Sequence, residues 1–151
     1  MDNKEETRKW LKAIDWDVAG TLTYKKGTCE AQAECIMRNF WGRANQALYG
    51  HAWIRFNKRI ENTTILDFNE YGDNPHYHIC IKMPADRFDN IDEFCQFLRQ
   101  QWKKVCGANY ISEFEALKDK EGWVNYTTRK LDEGNEHYLH THSSHIAAKR
   151  S

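Results

Sequence analysis

The hydrophobic residues recur along the chain at two spacings, the two-residue period of β-strands and the longer period of α-helices. Alternating or β-branched runs predict five strands, at 18–24, 51–61, 64–71, 76–83 and 110–114. Helical spacing predicts three helices, at 28–50, 90–107 and 120–131. Residues 1–17 carry apolar side chains among mixed charges, which is typical of either a short amphipathic helix or an ordered arm.

The order of these elements favours a single α+β domain of the ferredoxin-like or RRM-like type. Such a domain has a mostly antiparallel sheet with helices packed on one face and the other face open to bind something. The length of 151 residues suits one hydrophobic core. We expect the folded domain to span residues 1–131 and residues 132–151 to form a polar, flexible tail.

Composition and charge narrow the class of function. The 22 basic and 22 acidic residues cancel, so a polyanion must be held by local patches and not by an overall positive field. Five cysteines, an odd number without a Cys-x-x-Cys pair, argue against a disulfide framework and against a structural zinc site. No run approaches the roughly 20 apolar residues of a membrane span, and the polar start carries no apolar signal segment. These features predict a cytoplasmic protein with no membrane partner.

Two histidines on a predicted strand are the first candidates for chemistry. In His76-Tyr77-His78 the two imidazoles project from the same face, with Cα atoms about 7 Å apart, so they can share one metal ion. Tyr77 points to the opposite side, into the core. Two carboxylates on the preceding strand, Asp67 and Glu70, are candidates for a third ligand. Two imidazoles and one carboxylate leave open positions on Mg²⁺ or Mn²⁺, where phosphate oxygens can bind.

The choice between the two carboxylates depends on the register of the hairpin, which the sequence leaves open. If the loop covers 71–75, Glu70 lies opposite the first histidine on the same face. If the loop covers 72–75, Asn69 and Tyr71 take that face and Glu70 turns away.

The last predicted helix places a tyrosine beside two cations. Trp123, Tyr126 and Lys130 recur at helical spacing on one face, and Arg129 lies next to them. One interpretation is that the two aromatic rings cover the core while the cations are solvated. The other is that a phenol nucleophile stands beside positive charge, which balances the charge that develops during its attack.

The alternating segment at 51–61 is predicted to present one apolar side and one aromatic and basic side. The second side carries Trp53, Arg55, Asn57 and Arg59. Cations for phosphates beside an aromatic ring for base stacking are typical of a surface that binds single-stranded nucleic acid.

Three short motifs together resemble the HUH endonucleases, and within them the rolling-circle replication initiators. They are a Thr-Leu-Thr strand (Thr21–Thr23), a His-hydrophobic-His strand (His76–His78) and a tyrosine helix (Tyr126–Lys130), in that family's order over about 18–131. The family usually has lysine three residues after the tyrosine, whereas this chain has Arg129 there and lysine at the next position. Because position 130 is not a second tyrosine, a single nucleophile is implied.

The resemblance implies metal-dependent, site-specific nicking and joining of single-stranded DNA. The tyrosine would attack the scissile phosphate, whose charge the metal neutralises, and would form a 5′-phosphotyrosine ester with release of a 3′-OH. The resemblance implies that Tyr126 is the nucleophile and that Lys130 and Arg129 are the cations that support it. It implies that Mg²⁺ or Mn²⁺ is bound by His76, His78 and Glu70. The residues that would contact DNA are Thr21, Thr23, Trp53, Arg55, Asn57 and Arg59.

A free 3′-OH primes a polymerase, so the implied role is to initiate rolling-circle replication of a phage, a plasmid or another mobile element. The DNA partner would be a single-stranded origin or hairpin, and so short a chain would depend on a host helicase and polymerase. Two alternatives stay open: a small transposase of the same catalytic class, and a non-catalytic module that binds single-stranded nucleic acid. The sequence does not determine the oligomeric state.

Overall fold

The structure is a computed structural model that describes residues 3–24, 27–68, 75–106, 111–129 and 144–146. Its helices are α1 (Asn3–Lys12), α2 (Glu30–Tyr49), α3 (Ala52–Arg55), α4 (Ile91–Cys106) and α5 (Lys120–Thr127). Its strands are β1 (Val18–Thr23), β2 (Asn62–Phe68), β3 (Pro75–Ile81) and β4 (Ile111–Ala116). Within these ranges no helix combines the length and the apolar character that crossing a membrane requires.

The four strands form one antiparallel sheet in the order β2-β3-β1-β4. This order, with α2 between β1 and β2 and α4 between β3 and β4, is the arrangement of a ferredoxin-like domain. The predicted α+β fold class is therefore confirmed. The strand that carries both histidines, β3, has a neighbouring strand on each side, so its side chains are flanked on both sides by those of β1 and β2.

One face of the sheet forms the main hydrophobic core with α2 and α4. Leu22 and Tyr77 of the central strands are buried there in one cluster with Phe40 of α2 and Trp102 of α4. The two-residue period of a strand then requires His76 and His78 to face the other side, as the sequence predicted. Burial of these large side chains provides most of the free energy that stabilises the sheet.

The second face of the sheet is only partly open, which corrects the expectation of helices on one face alone. α1 and α5 pack against it, and their Leu11 and Val124 form a second buried cluster with Cys80 of β3. Both helices have an apolar side that must be buried, and the Cys80 end of the face provides an apolar surface for it. The face stays accessible near the start of β3, where the side chain of His76 is 19% exposed.

The segment at 51–61 is not the strand that its alternating pattern predicted. The backbone N–H of Phe56 donates to the carbonyl of Ala52 at 2.9 Å, which closes the short helix α3. Ile54 and Phe56, which the pattern assigned to the core, are 69% and 74% exposed. Alternation over a few residues does not separate a strand from a helical turn, and this segment has no strand beside it among the described residues.

Part of the predicted C-terminal tail lies against the sheet. The backbone N–H of Asn62 donates to the carbonyl of His145 at 2.7 Å, and the N–H of His145 donates back at 3.0 Å. The Ser144 hydroxyl accepts from the N–H of Thr64 at 2.8 Å. These bonds cover the outer edge of β2, where backbone groups would otherwise stay unpaired. Residues 130–143 and 147–151 lie outside the described part of the chain.

Truncation of Ile79 tests which side of β3 carries the stability of the domain. Ile79 is fully buried in the main core, so Ile79→Ala should lower the free energy of unfolding by about 2–5 kcal/mol. Ile54→Ala removes the same atoms from an exposed position and should change it by less than about 0.5 kcal/mol. Urea denaturation followed by circular dichroism measures both. Equal losses in the two variants would contradict the described core.

Candidate functional site

The pairing of β2 with β3 determines which carboxylate meets the two histidines. In their antiparallel register Asp67 lies opposite His76, and Ile65 lies opposite His78. Residues that lie opposite each other project from the same face of a sheet, so the Asp67 carboxylate lies on the histidine face. Both loops expected from the sequence, 71–75 and 72–75, are therefore wrong, because Pro75 already pairs with Phe68 in the sheet. Glu70, the expected third ligand, lies outside the described residues.

Asp67, His76 and His78 form a compact group of metal-ligating side chains. One ligand atom from each lies within 4.8 Å of the others. Oδ2 of Asp67 is 3.6 Å from Nε2 of His76 and 3.4 Å from Nε2 of His78. Asp67 and His78 are buried, whereas His76 is partly exposed. This group, here called the histidine cluster, is therefore closed towards the protein and reachable from solvent at His76.

The burial and the protonation state of His78 suit the histidine cluster to a metal ion. Both ring nitrogens of His78 are buried, and among the described residues neither forms a well-aligned hydrogen bond, although Nε2 contacts Oδ2 of Asp67. Burial, followed by the neighbouring His76, lowers the pKa of His78 to about 4, so the ring is neutral near pH 7. A neutral imidazole with a free nitrogen is the form that ligates a cation, and Asp67 adds the negative charge. The three side chains fit a divalent cation, which they could hold together.

Arg129 compensates the negative charge of Asp67. Its Nη2 donates to Oδ2 of Asp67 at 2.7 Å, and this is the oxygen that faces both histidines. Burial lowers the pKa of Arg129, but the hydrogen bond and the charge of Asp67 outweigh it, so that pKa is raised. The side chain of Asp67 is 3% exposed and that of Arg129 is 46% exposed. The pair thus connects the buried cluster to the surface, and Arg129 is not simply a solvated cation.

Tyr126 of α5 lies beside the histidine cluster. The centroids of the Tyr126 and His78 rings are 5.0 Å apart, and the rings meet edge to face at 70°. On its other side the Tyr126 ring stacks with Trp123 at 5.7 Å. The guanidinium of Arg129 lies 4.4 Å from the centre of the Tyr126 ring. Because Tyr126 is 42% exposed, the phenol is neither remote from the cluster nor sealed in the core.

Contacts with β3 and α1 hold α5 in this position. The indole N–H of Trp123 donates to the carbonyl of Ile79, next to His78 in the chain, at 3.1 Å. From α1, Arg8 donates through Nε to the hydroxyl of Thr128 at 2.9 Å and through Nη2 to the Thr128 carbonyl at 3.3 Å. A cation is favourable at a helix C-terminus, but nothing in the sequence links Arg8 with a helix so distant along the chain. Sequence reasoning did not identify this contact.

The structure places only some of the other predicted site residues near the histidine cluster. On β1, Thr21 lies opposite His78 and Thr23 lies opposite His76, so both threonines share the histidine face. The predicted basic strand face does not exist, because α3 and the segment after it are not part of the sheet and carry Trp53, Arg55, Asn57 and Arg59. Lys130, like Glu70, lies outside the described residues.

Comparisons with known proteins do not assign the chain to a family. No family model, no curated protein and no solved structure matches it. The interpretation of the site therefore rests on its own geometry.

Removal of the carboxylate from the histidine cluster should prevent it from binding a divalent cation. Asp67→Asn keeps the shape of the side chain but removes the negative charge, so we expect the affinity for Mn²⁺ to fall by more than about tenfold. Isothermal titration calorimetry with MnCl₂ measures this. Glu113→Gln is the control, because Glu113 lies opposite Thr21 on the same face but outside the cluster. An unchanged affinity in Asp67→Asn would exclude this cluster as the binding site.

Arg129 should stabilise the fold most when no metal ion is present. Arg129→Gln leaves the buried Asp67 carboxylate without its charged partner, which should cost about 1–3 kcal/mol in a solution with chelator. Saturating Mn²⁺ should then raise the Tm of this variant by more than it raises that of the unmodified protein. Arg38→Gln, which breaks an exposed pair with Glu34 on α2, is the matched control and should change the Tm little. If Arg129→Gln melts like the unmodified protein in chelator, Arg129 does not compensate Asp67.

Proposed function

We propose that this chain is a metal-dependent endonuclease of the HUH type that nicks and rejoins single-stranded DNA through a covalent bond to Tyr126. One observation carries the proposal. The Tyr126 ring is 42% exposed and lies 5.0 Å from the ring of His78, a member of the histidine cluster. Tyrosine-dependent cleavage of DNA needs a nucleophile that is accessible to a strand and close to a site for a cation.

The histidine cluster would position the scissile phosphate. Asp67, His76 and His78 are suited to hold Mg²⁺ or Mn²⁺ and to leave coordination positions free for phosphate oxygens. A cation held there would neutralise the phosphate and make its phosphorus easier to attack. The hydroxyls of Thr21 and Thr23 share this face and would donate hydrogen bonds to neighbouring phosphates.

Tyr126 would be the nucleophile in a transesterification. A bond forms between its phenolic oxygen and phosphorus, while the bond from phosphorus to the 3′ oxygen of the preceding nucleotide breaks. The phenol loses its proton and the departing 3′ oxygen gains one, so the products are a 5′-phosphotyrosine ester and a 3′-OH. Arg129, with its guanidinium 4.4 Å from the Tyr126 ring centre, would stabilise the negative charge of the phenolic oxygen. Lys130 would add a second positive charge next to it in the chain.

The covalent ester accounts for both nicking and joining. It conserves the energy of the phosphodiester bond, so a later 3′-OH can attack it and reseal a strand. The released 3′-OH can prime a host polymerase, which suits initiation of rolling-circle replication of a phage, a plasmid or another mobile element in the cytoplasm. A small transposase would use the same chemistry, and the initiator role is favoured over it by the Thr-Leu-Thr motif of β1.

A module that only binds single strands is the remaining alternative. Such a module has no use for a carboxylate and two imidazoles that meet in a partly buried cluster. The ring nitrogens of His78, which form no well-aligned hydrogen bond with the described residues, would then lower the stability of the fold without a compensating function. This observation favours the enzyme over the binding module.

A covalent adduct with DNA tests the proposed reaction. The protein is incubated with Mn²⁺ and a pool of single-stranded oligonucleotides that carry a randomised central segment. We expect an adduct that survives denaturing electrophoresis and that mass spectrometry maps to Tyr126. Tyr126→Phe keeps the ring but removes the nucleophilic oxygen, so its adduct should fall below detection.

Tyr77→Phe is the control for this experiment. Tyr77 lies between the two histidines in the chain but is buried in the main core, so it should keep the adduct at the level of the unmodified protein. An adduct that persists in Tyr126→Phe, or that maps to another residue, would contradict the role of Tyr126. The absence of any adduct with a pool that the protein binds would favour the binding module.

A further inference from the structure

A second group of cations lies at the opposite end of the sheet from the histidine cluster. The cluster lies at the start of β3, whereas Lys82 directly follows its end. A strand advances about 3.3 Å per residue, so the two places are roughly 20 Å apart. Here an open cleft of about 450 Å³ is lined by, among others, the cations Lys58, Arg59 and Lys82, the carboxylates Glu61 and Asp86, and the Tyr49 ring. We call it the distal cleft.

Two cations of the distal cleft form no ion pair with any carboxylate that the structure describes. Lys82 faces Glu61, with 3.8 Å between Nζ and Oε2. Lys58 and Arg59, in contrast, form no ion pair within the described part of the chain. The Nε of Arg59 is buried there without a hydrogen-bond partner among the described residues. Within the described residues, the cleft thus offers positive charge that no carboxylate of the protein pairs with.

Aromatic rings hold the cations of the distal cleft in place. Lys58 Nζ lies 5.1 Å from the centre of the Tyr49 ring. The guanidinium of Arg59 lies 5.6 Å from the centre of the Trp53 ring. Contact with a ring face restricts a long cationic side chain without neutralising its charge. The positive groups are therefore positioned before any ligand arrives.

An exposed aromatic side chain immediately precedes the distal cleft in the chain. Phe56 is 74% exposed, and the guanidinium of Arg55 lies 5.7 Å from the centre of its ring. The next residue, Asn57, lines the cleft and has a φ of 53°, in the left-handed region, which turns the chain sharply between the two. An exposed ring next to cations is the combination on which the bases of a single strand stack.

From this arrangement we infer that the distal cleft binds the phosphate backbone of the strand that Tyr126 cleaves at the histidine cluster, and that Phe56 stacks on one of its bases. The inference rests on the proposed function and specifies how its substrate is held. A stacked strand rises about 3.4 Å along its axis per nucleotide, so the roughly 20 Å between the two places corresponds to about six nucleotides. Because the chain has no net charge, a polyanion depends on a local patch of this kind.

The salt dependence of DNA binding tests this inference. Fluorescence anisotropy reports the binding of a labelled oligothymidine of about 20 nucleotides, which is long enough to span both places, in a NaCl series without metal. Lys58→Gln/Arg59→Gln should weaken binding and reduce the slope of log K against log salt by about 1.4, because each lost phosphate contact removes about 0.7. Phe56→Ala should weaken binding without changing the slope, because base stacking involves no phosphate.

A charge-matched pair of substitutions is the control. Lys103→Gln/Lys104→Gln removes two exposed cations from α4 and should leave the slope unchanged. Lys58→Gln alone, at an exposed position, should reduce the slope by about 0.7 and keeps the test decisive if the double variant does not fold. If the slope of log K against log salt is the same in the cleft variants as in the control variant, the inference is overturned.

The failure of this inference can be distinguished from the failure of the proposed function. The binding measurement needs neither a metal ion nor Tyr126. If the covalent adduct forms but the cleft substitutions leave the slope unchanged, the distal cleft is not a phosphate site and the nicking activity stands. If the cleft substitutions reduce the slope but no adduct forms, the cleft binds DNA and the proposed nicking activity is wrong. The strand bound in the cleft is then not a substrate.

Discussion

The antiparallel register between β2 and β3 is the constraint on which the rest of the site depends. It pairs Asp67 with His76 and Ile65 with His78, so that one carboxylate meets two imidazoles on one face. A slip of one residue would turn Asp67 towards α2 and α4 and bring an apolar side chain opposite His76. The same register determines what Arg129 contacts, because its guanidinium donates to that carboxylate at 2.7 Å. The metal-ligating group and the cation beside the tyrosine thus depend on one backbone pairing.

The histidine cluster can be mostly buried because the positive charge of Arg129 compensates the negative charge of Asp67. Removing the Asp67 carboxylate from water costs free energy. The ion pair with Arg129 offsets part of this cost, and Arg129 itself stays partly in contact with solvent. His78 adds no charge near pH 7, since burial and the neighbouring His76 lower its pKa to about 4. The ring nitrogens of His78 remain unsatisfied among the described residues. Such a local departure from full hydrogen bonding is expected where a protein gives up some stability for a ligand.

The fold was largely predictable where a period repeats over many residues, and less so where one segment depends on another. The strands β1 and β3 and the helices α2 and α4 lie close to their predicted bounds, because these periods arise from the local geometry of the backbone. The strand predicted at 51–61 was wrong because an alternating segment forms a strand only where a neighbouring strand pairs with it. The apolar sides of α1 and α5 were visible in the sequence, but the surface that buries them was not. Net charge, likewise, does not reveal that Lys58 and Arg59 lie together in the distal cleft.

By itself the sequence determined which side chains share a face. His76 and His78 are two residues apart on a strand, so they project together and Tyr77 projects to the other side, whatever the strand packs against. Only the tertiary structure decided which groups meet from separate parts of the chain. Asp67 became the acid of the cluster because the strands pair in the register that buries the apolar face of both, and Tyr126 reached His78 because α5 packs on β3. Local geometry acts over a few residues, whereas strand register and helix packing are set by the free energy of burying the whole core.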